Sequence, residues 1–301
     1  MLPRIDHRWL NIGALVHTTM KSTTAFSITA LSIALISVSL INVMQTASAL
    51  KHDLHAGLMA HWKFDKAKGT TAKDSSGNGN AGTLVNDPSW LARNHCAAGK
   101  SCLSFDGADD RVSVPNSSSL NIERALTVAA WINLKDIPPS SQEQNINNFP
   151  AVITKGPTNT QYIIFVYGVA GSASGTSPLT FRINTGIDNP TSRSQLVLHE
   201  VNSTSNVVFG RWMHVAGVYD GAVMKIYVNG VLEASKPTSG RIATGTSPLT
   251  IGAGGNDLYT DIVPTPFVNQ WHGLIDEVSI YNRALSTSEV QSIYSNSPPH
   301  A

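Results

Sequence analysis

From Trp212 to Ala234 the chain is written as three short apolar runs separated by Asp220-Gly221 and Asn229-Gly230. These dipeptides supply the positive φ angles that tight hairpin turns need. Met224, Ile226 and Val228 fall on one face and Lys225 and Tyr227 on the other, as the two-residue period of a strand requires. The stretch reads as a three-stranded antiparallel meander.

The same alternation recurs upstream. Leu58, Ala60, Trp62 and Phe64 alternate with Met59, His61, Lys63 and Asp65, and Leu126, Val128, Ala130, Ile132 and Leu134 repeat the pattern. Leu103 and Phe105, then Val112 and Val114, flank the turn Asp106-Gly107, and Tyr162 to Tyr167 is a continuous apolar run suited to a central strand. Gly-Thr-Ser-Pro-Leu-Thr occurs at 175–180 and again at 245–250, and both copies read as Pro-led strand entries. Leu274 to Tyr281 is a last strand, and Ser286-Thr287-Ser288-Glu289 is a capping box opening a short helix through Ile293. Many strands, frequent turns and no βαβ alternation predict an all-β, two-sheet antiparallel sandwich of jelly-roll type. Segments 136–160 and 254–270 read as surface loops.

Phe26 to Met44 is an uncharged apolar run between Lys21 and Ala47-Ser48-Ala49. It predicts a secretory signal cleaved after Ala49, or a retained membrane-anchor helix, over residues 1–49. Met20-Lys21 would open a conventional signal by itself, so Met20 is a candidate true start. Residues 50–57 are then a short linker, 58–295 one domain and 296–301 a tail. The expected location is secreted, periplasmic or on the cell surface, with membrane contact only through an uncleaved N-terminal segment. Cys96 and Cys102 are the only cysteines; on an exported chain they predict a short-loop disulfide, the alternative being two free thiols. Charged residues make up 14% of the chain, against roughly 25% in an average domain, and the net charge is +1. That balance gives no electrostatic case for a nucleic-acid partner.

Seven blocks taken in order carry a family resemblance: Gly57–Asp65, Asp74–Asn80, Leu103–Gly107, Leu126–Ile132, Trp212–Ala216, Ile226–Gly230 and Ile275–Ser286. Together they resemble the LamG-like jelly-roll family of the concanavalin A-like lectin/glucanase superfamily. The resemblance implies a concanavalin A-like sandwich, carbohydrate or protein binding, and often a structural calcium. It does not imply one activity, because fold and function are separable.

The hydrolase branch of that superfamily uses clustered carboxylates, and no Glu-x-Asp-x-Glu occurs here. Gly-x-Ser-x-Gly and His-Glu-x-x-His are also missing, so no enzyme is expected. A calcium ion suits Asp74, Asn78 and Asn80 in their Gly-rich loop, joined by Asp276, a carboxylate on the face shared by Leu274, Val278 and Ile280. The plain alternative for the loop is a polar turn. Tyr259, Phe267 and Trp271 are the candidate stacking platform for a glycan, unless Trp271 begins the last strand and packs inside. The expected function is an exported, non-catalytic module that recognises carbohydrate or a cell-surface protein. The alternatives are an adhesion domain working through protein contacts, and an unusual glycoside hydrolase.

Overall fold

The computed structural model describes residues 53–137, 149–156, 161–168, 174–190, 193–254 and 269–297. Residues 1–49, expected to be a signal or anchor segment, lie outside these residues. Strands are numbered along the chain. One eight-stranded antiparallel sheet contains β1 (Leu58–Trp62), β4 (Ser89–Ala92), β5 (Ser101–Asp106), β7 (Leu126–Leu134), β12 (Met213–Tyr219), β13 (Val223–Val228), β14 (Val231–Pro237) and β16 (His272–Tyr281). Its order is β14-β13-β12-β7-β16-β5-β4, with β1 also paired to β16. The second sheet runs β11 (Leu198–Asn206), β10 (Pro178–Asn184), β9 (Tyr162–Val166), β8 (Ala151–Lys155), β15 (Leu249–Ile251), β6 (Arg111–Val114), β3 (Gly82–Val85) and β2 (Thr71–Ala72).

The inward residues of both sheets form one buried cluster, including Trp62, Phe105, Ile132, Ile164, Phe181, Ile226 and Ile251. This is the core expected when two sheets each have one apolar face. The meander of β12, β13 and β14 is present with its anticipated faces, and both hexapeptide copies lead into strands, β10 and β15. Cys96 and Cys102 form a disulfide. The segment 136–160, expected to be loop, contains the fully buried strand β8. Its apolar run is only Ala151-Val152-Ile153, set between Pro150 and Gly156, too short to show a period of its own.

The helix α1 (Thr287–Asn296) begins at the expected capping box, where Ser286 accepts from Glu289 N and the Glu289 side chain reaches back. Val290 and Ile293 lay it against the outer face of the first sheet, over Ala129, Ala216, Val218, Tyr227 and Tyr281. Among the described residues no helix is long and apolar enough to cross a membrane.

One irregularity shapes everything near the site. Along β16, Gly273, Leu274, Ile275 and Asp276 oppose Leu134, Asn133, Ile132 and Trp131 of β7, but beyond Glu277 the register slips so that Ser279 opposes Ala129. An extra residue in one strand is a β-bulge, and Glu277 sits in it with φ +48°. A one-residue slip exchanges the faces. Before the bulge Ile275 points inward; after it Val278 and Ile280 do. Asp276 therefore lies on the outer face opposite Trp131, correcting the expectation that it shares a face with Val278 and Ile280. The bulge also marks where the edge partner of β16 changes from β5 to β1.

Candidate functional site

The Asp74–Asn80 loop folds against β1. Gly77 and Gly79 take φ values of +91° and +78°, turning the chain where a side chain would be strained. Asp74 Oδ1 accepts from His61 N and Ser76 N at 3.0 and 2.8 Å, while Oδ2 accepts from Ser76 Oγ and Asn80 N at 2.8 and 2.9 Å. Burial pushes this carboxyl up, but the amides of His61, Ser76 and Asn80 outweigh it and hold it below the usual carboxylate range. Asn78 Nδ2 donates to Leu58 O and Met59 O, and Asn80 Nδ2 to Met59 O and Ser119 Oγ. The three predicted ligands do come together, as a staple between loop and strand.

Asp276 does not join them. It is fully buried under the loop closed by the disulfide, accepting from Ala98 N at 3.0 Å and from Glu277 N at 2.9 Å. Burial raises its carboxyl to about 8. These four residues do not fit a shared calcium ion. The amides turn nitrogens toward backbone carbonyls, and both carboxylates are engaged by separate sets of N–H donors. The group among the described residues whose carboxylate oxygens do converge is Asp106, Asp109 and Asp110, all within 4.8 Å of one another.

Of the expected stacking platform only Trp271 lies among the described residues. Tyr259 and Phe267 lie outside the described residues. Trp271 is fully buried in the core, which is the other reading of this residue, a ring at the start of the last strand packed inside. It precedes β16 in phase with Gly273 and Ile275, the inward positions before the bulge, and that phase sends its ring inside.

Two depressions lie beside β1 instead. The first, of about 250 Å3, is lined by Lys63, Phe64, Asp65, Lys66, Lys73, Ser75 and Trp90. Trp90 is half-buried; its indole donates to Gly69 O at 2.8 Å and meets Phe64 edge-on at 6.5 Å between centroids. A tryptophan so fixed is an apolar platform that loses little side-chain entropy on binding. Lys63, Lys66 and Lys73 are exposed, and none is within ion-pair distance of a carboxylate among the described residues. Asp65 accepts from Lys100 N and lies so close to Gly99, at φ +66°, that a side chain there would collide with it. The carboxylate is thus occupied by the disulfide loop.

The second depression, about 210 Å3, lies between β1, the bulge and the end of α1. His61 Nε2 and Glu277 Oε2 are 2.6 Å apart at its wall, their side chains 22% and 12% exposed. Trp131, Tyr281 and Ile293 supply its apolar lining, and Lys63 borders it as well. Tyr294 stacks on Trp131 at 5.4 Å, and His214 meets the same ring edge-on. The Trp131 N–H is buried without an acceptor among the described residues. Burial presses His214 down to about 3, so this row of the sheet carries a neutral imidazole.

Sequence reasoning points to neither depression. One signal for the first is readable: Lys63, Lys66, Lys68 and Lys73 fall within eleven residues of a chain poor in charge. The second depends on the register slip and has no signal.

A sequence model described as Laminin_G_3, Concanavalin A-like lectin/glucanases superfamily, matches residues 106–291, more than half of the chain. No curated protein matches by sequence. The binding domain of Paraclostridial Mosquitocidal Protein 1 is similar in structure, with a TM-score of 0.57 and 16% identity over 80% of this chain and 52% of that one. Domain 4 of AbnA, a GH43 extracellular arabinanase from Geobacillus stearothermophilus solved with arabinotriose, has a TM-score of 0.53 and 22% identity over 79% of this chain and 98% of that one. The botulinum neurotoxin serotype G binding domain has a TM-score of 0.52 and 14% identity, covering 79% of this chain and 51% of that one. The chain thus spans about half the length of the toxin binding domains it matches. At these identities the likeness is one of fold.

Proposed function

The chain belongs to the concanavalin A-like lectin/glucanases superfamily, and on that footing we propose that it is an exported, non-catalytic module recognising carbohydrate at a cell surface or in the surroundings. The observation that carries this reading is the depression at Trp90. A pre-fixed aromatic face beside hydrogen-bonding side chains suits a sugar ring, whose C–H face packs on the indole while its hydroxyls reach the polar rim. Asp276 and Glu277, the adjacent acidic pair on the central strand, turn to Ala98 N and His61 rather than to one cleft, which supports a non-catalytic reading. Similar folds serve as a domain of an arabinanase and as toxin binding domains, in keeping with recognition. The N-terminal apolar run and the Cys96–Cys102 disulfide support export, because disulfides persist in oxidising compartments.

The test is a glycan array probed with the full chain and with Trp90→Ala. The parent chain is expected to bind a reproducible set of glycans, and the variant to lose about tenfold or more in affinity for them. A blank array, or a variant that binds like its parent, would overturn the reading.

A further inference from the structure

The two depressions share Lys63, and we propose that they are adjoining subsites of one groove that takes a linear acidic saccharide; this rests on the carbohydrate reading above. His61 on β1 and Lys63, the first residue past its end, are two positions apart, on the order of 7 Å in extended chain, and both line the Glu277 depression. His61 belongs to the Glu277 depression, Lys63 to both, and Lys66 and Lys73 to the Trp90 depression. The two linings therefore meet at Lys63.

The chemistry changes between them in a way that specifies the ligand. At the Trp90 end three lysines, without carboxylate partners among the described residues, flank an aromatic platform. Cations so placed in a chain of net charge +1 call for an anionic group on the ligand. At the other end the carboxylate of Glu277 accepts hydrogen bonds, and the buried Trp131 N–H lacks an acceptor among the described residues. A ligand meeting both ends carries acidic groups, hydroxyls and apolar ring faces: a saccharide chain bearing carboxylates, as uronic acids, or sulfate esters.

Backbone strain points to the same place. Phe64 and Glu277 are non-glycine residues at φ +52° and +48°, and one lines each depression. Left-handed backbone on a bulky residue is costly and persists where the surroundings hold it, commonly at ligand sites. Phe64 turns the chain out of β1 toward the lysines, and Glu277 fills the gap where β16 changes partner.

The experiment measures binding of the full chain to hexuronic acid oligomers of one to six units. The comparison ligands are the carboxyl-reduced neutral oligomers and the neutral oligomers carrying sulfate esters. Affinity is expected to rise about tenfold or more between one unit and a length that fills both depressions, to weaken with added salt, and to fall about tenfold in Lys66→Ala with Lys73→Ala. Glu277→Gln, or His61→Gln should the first disturb the bulge, is expected to remove the gain with length. The preferred acid, carboxylate or sulfate, identifies its source. Equal binding of neutral and acidic oligomers, or equal affinity at all lengths, would overturn the two-subsite proposal while leaving carbohydrate recognition standing. Binding to no saccharide on the array or in this series would overturn both, and binding instead to anionic vesicles or acidic peptides would do the same.

Discussion

The Asp74–Asn80 loop and the Trp90 cleft are neighbours on the flank of β1, and they spend their polar groups in opposite ways. In the loop, both oxygens of Asp74 accept two hydrogen bonds each, and the amides of Asn78 and Asn80 donate to the carbonyls of β1. In the cleft, Lys63, Lys66 and Lys73 line the same hollow as the Trp90 indole, and none comes within ion-pair distance of a carboxylate among the described residues. An Asp-Asn-Gly motif attracts a functional reading because of its residue types. Here those types satisfy the backbone, and the unspent groups next door are what remains for a ligand.

Substitutions on the two sides of β1 should separate stability from binding. Asp74→Ala leaves the N–H groups of His61, Ser76 and Asn80 without their acceptor, and is expected to cost about 3 kcal/mol in urea denaturation. A loss below about 1 kcal/mol would mean that the loop does not act as a staple.

Removing the disulfide by Cys96→Ser with Cys102→Ser tests the other spent carboxylate, because the loop it closes covers Asp276 through Ala98 N. A loop this short is expected to contribute about 2 kcal/mol, read from the shift in denaturation midpoint.

The pH dependence follows from the same burial. Asp276 binds its proton more tightly folded than unfolded, so its contribution to stability is complete below the unfolded carboxylate value and is lost as pH rises through about 8. His214, depressed to about 3, has the opposite sign: its contribution is present above 6.5 and lost as pH falls. Between pH 6.5 and 8 Asp276 dominates of the two, and stability should decline by about 1.5 kcal/mol. Asp276→Asn should abolish that slope whatever it does to absolute stability. A slope that survives the substitution would assign it to another group.

The smallest stability effect belongs to the cleft. Lys66→Ala is expected to move unfolding by no more than about 0.5 kcal/mol and to matter only for ligand. A stability loss matching that of Asp74→Ala would erase the contrast between the two regions.

Much of the sandwich is legible in the amino-acid sequence. The meander at β12 to β14, the alternations of β1 and β7 and the capping box at Ser286 are local patterns, in which a strand's period and a turn's φ angles act within a few residues. Strand β8 is hidden because three apolar residues cannot display a period. The candidate site is legible only in its lysines.

What the amino-acid sequence determined by itself is therefore the class of fold and those strands and turns whose local pattern is long enough to read, since these follow from short-range periodicity and backbone preference. Only the tertiary structure decided between the two readings of Trp271, in favour of packing inside, and decided that Asp276 lies under the disulfide loop and that Glu277 meets His61 across 216 residues of chain. All three turn on the phase of β16 around one bulged residue. A slip of one residue exchanges the faces of a strand, and long-range pairing with β1, β5 and β7 sets where that slip occurs.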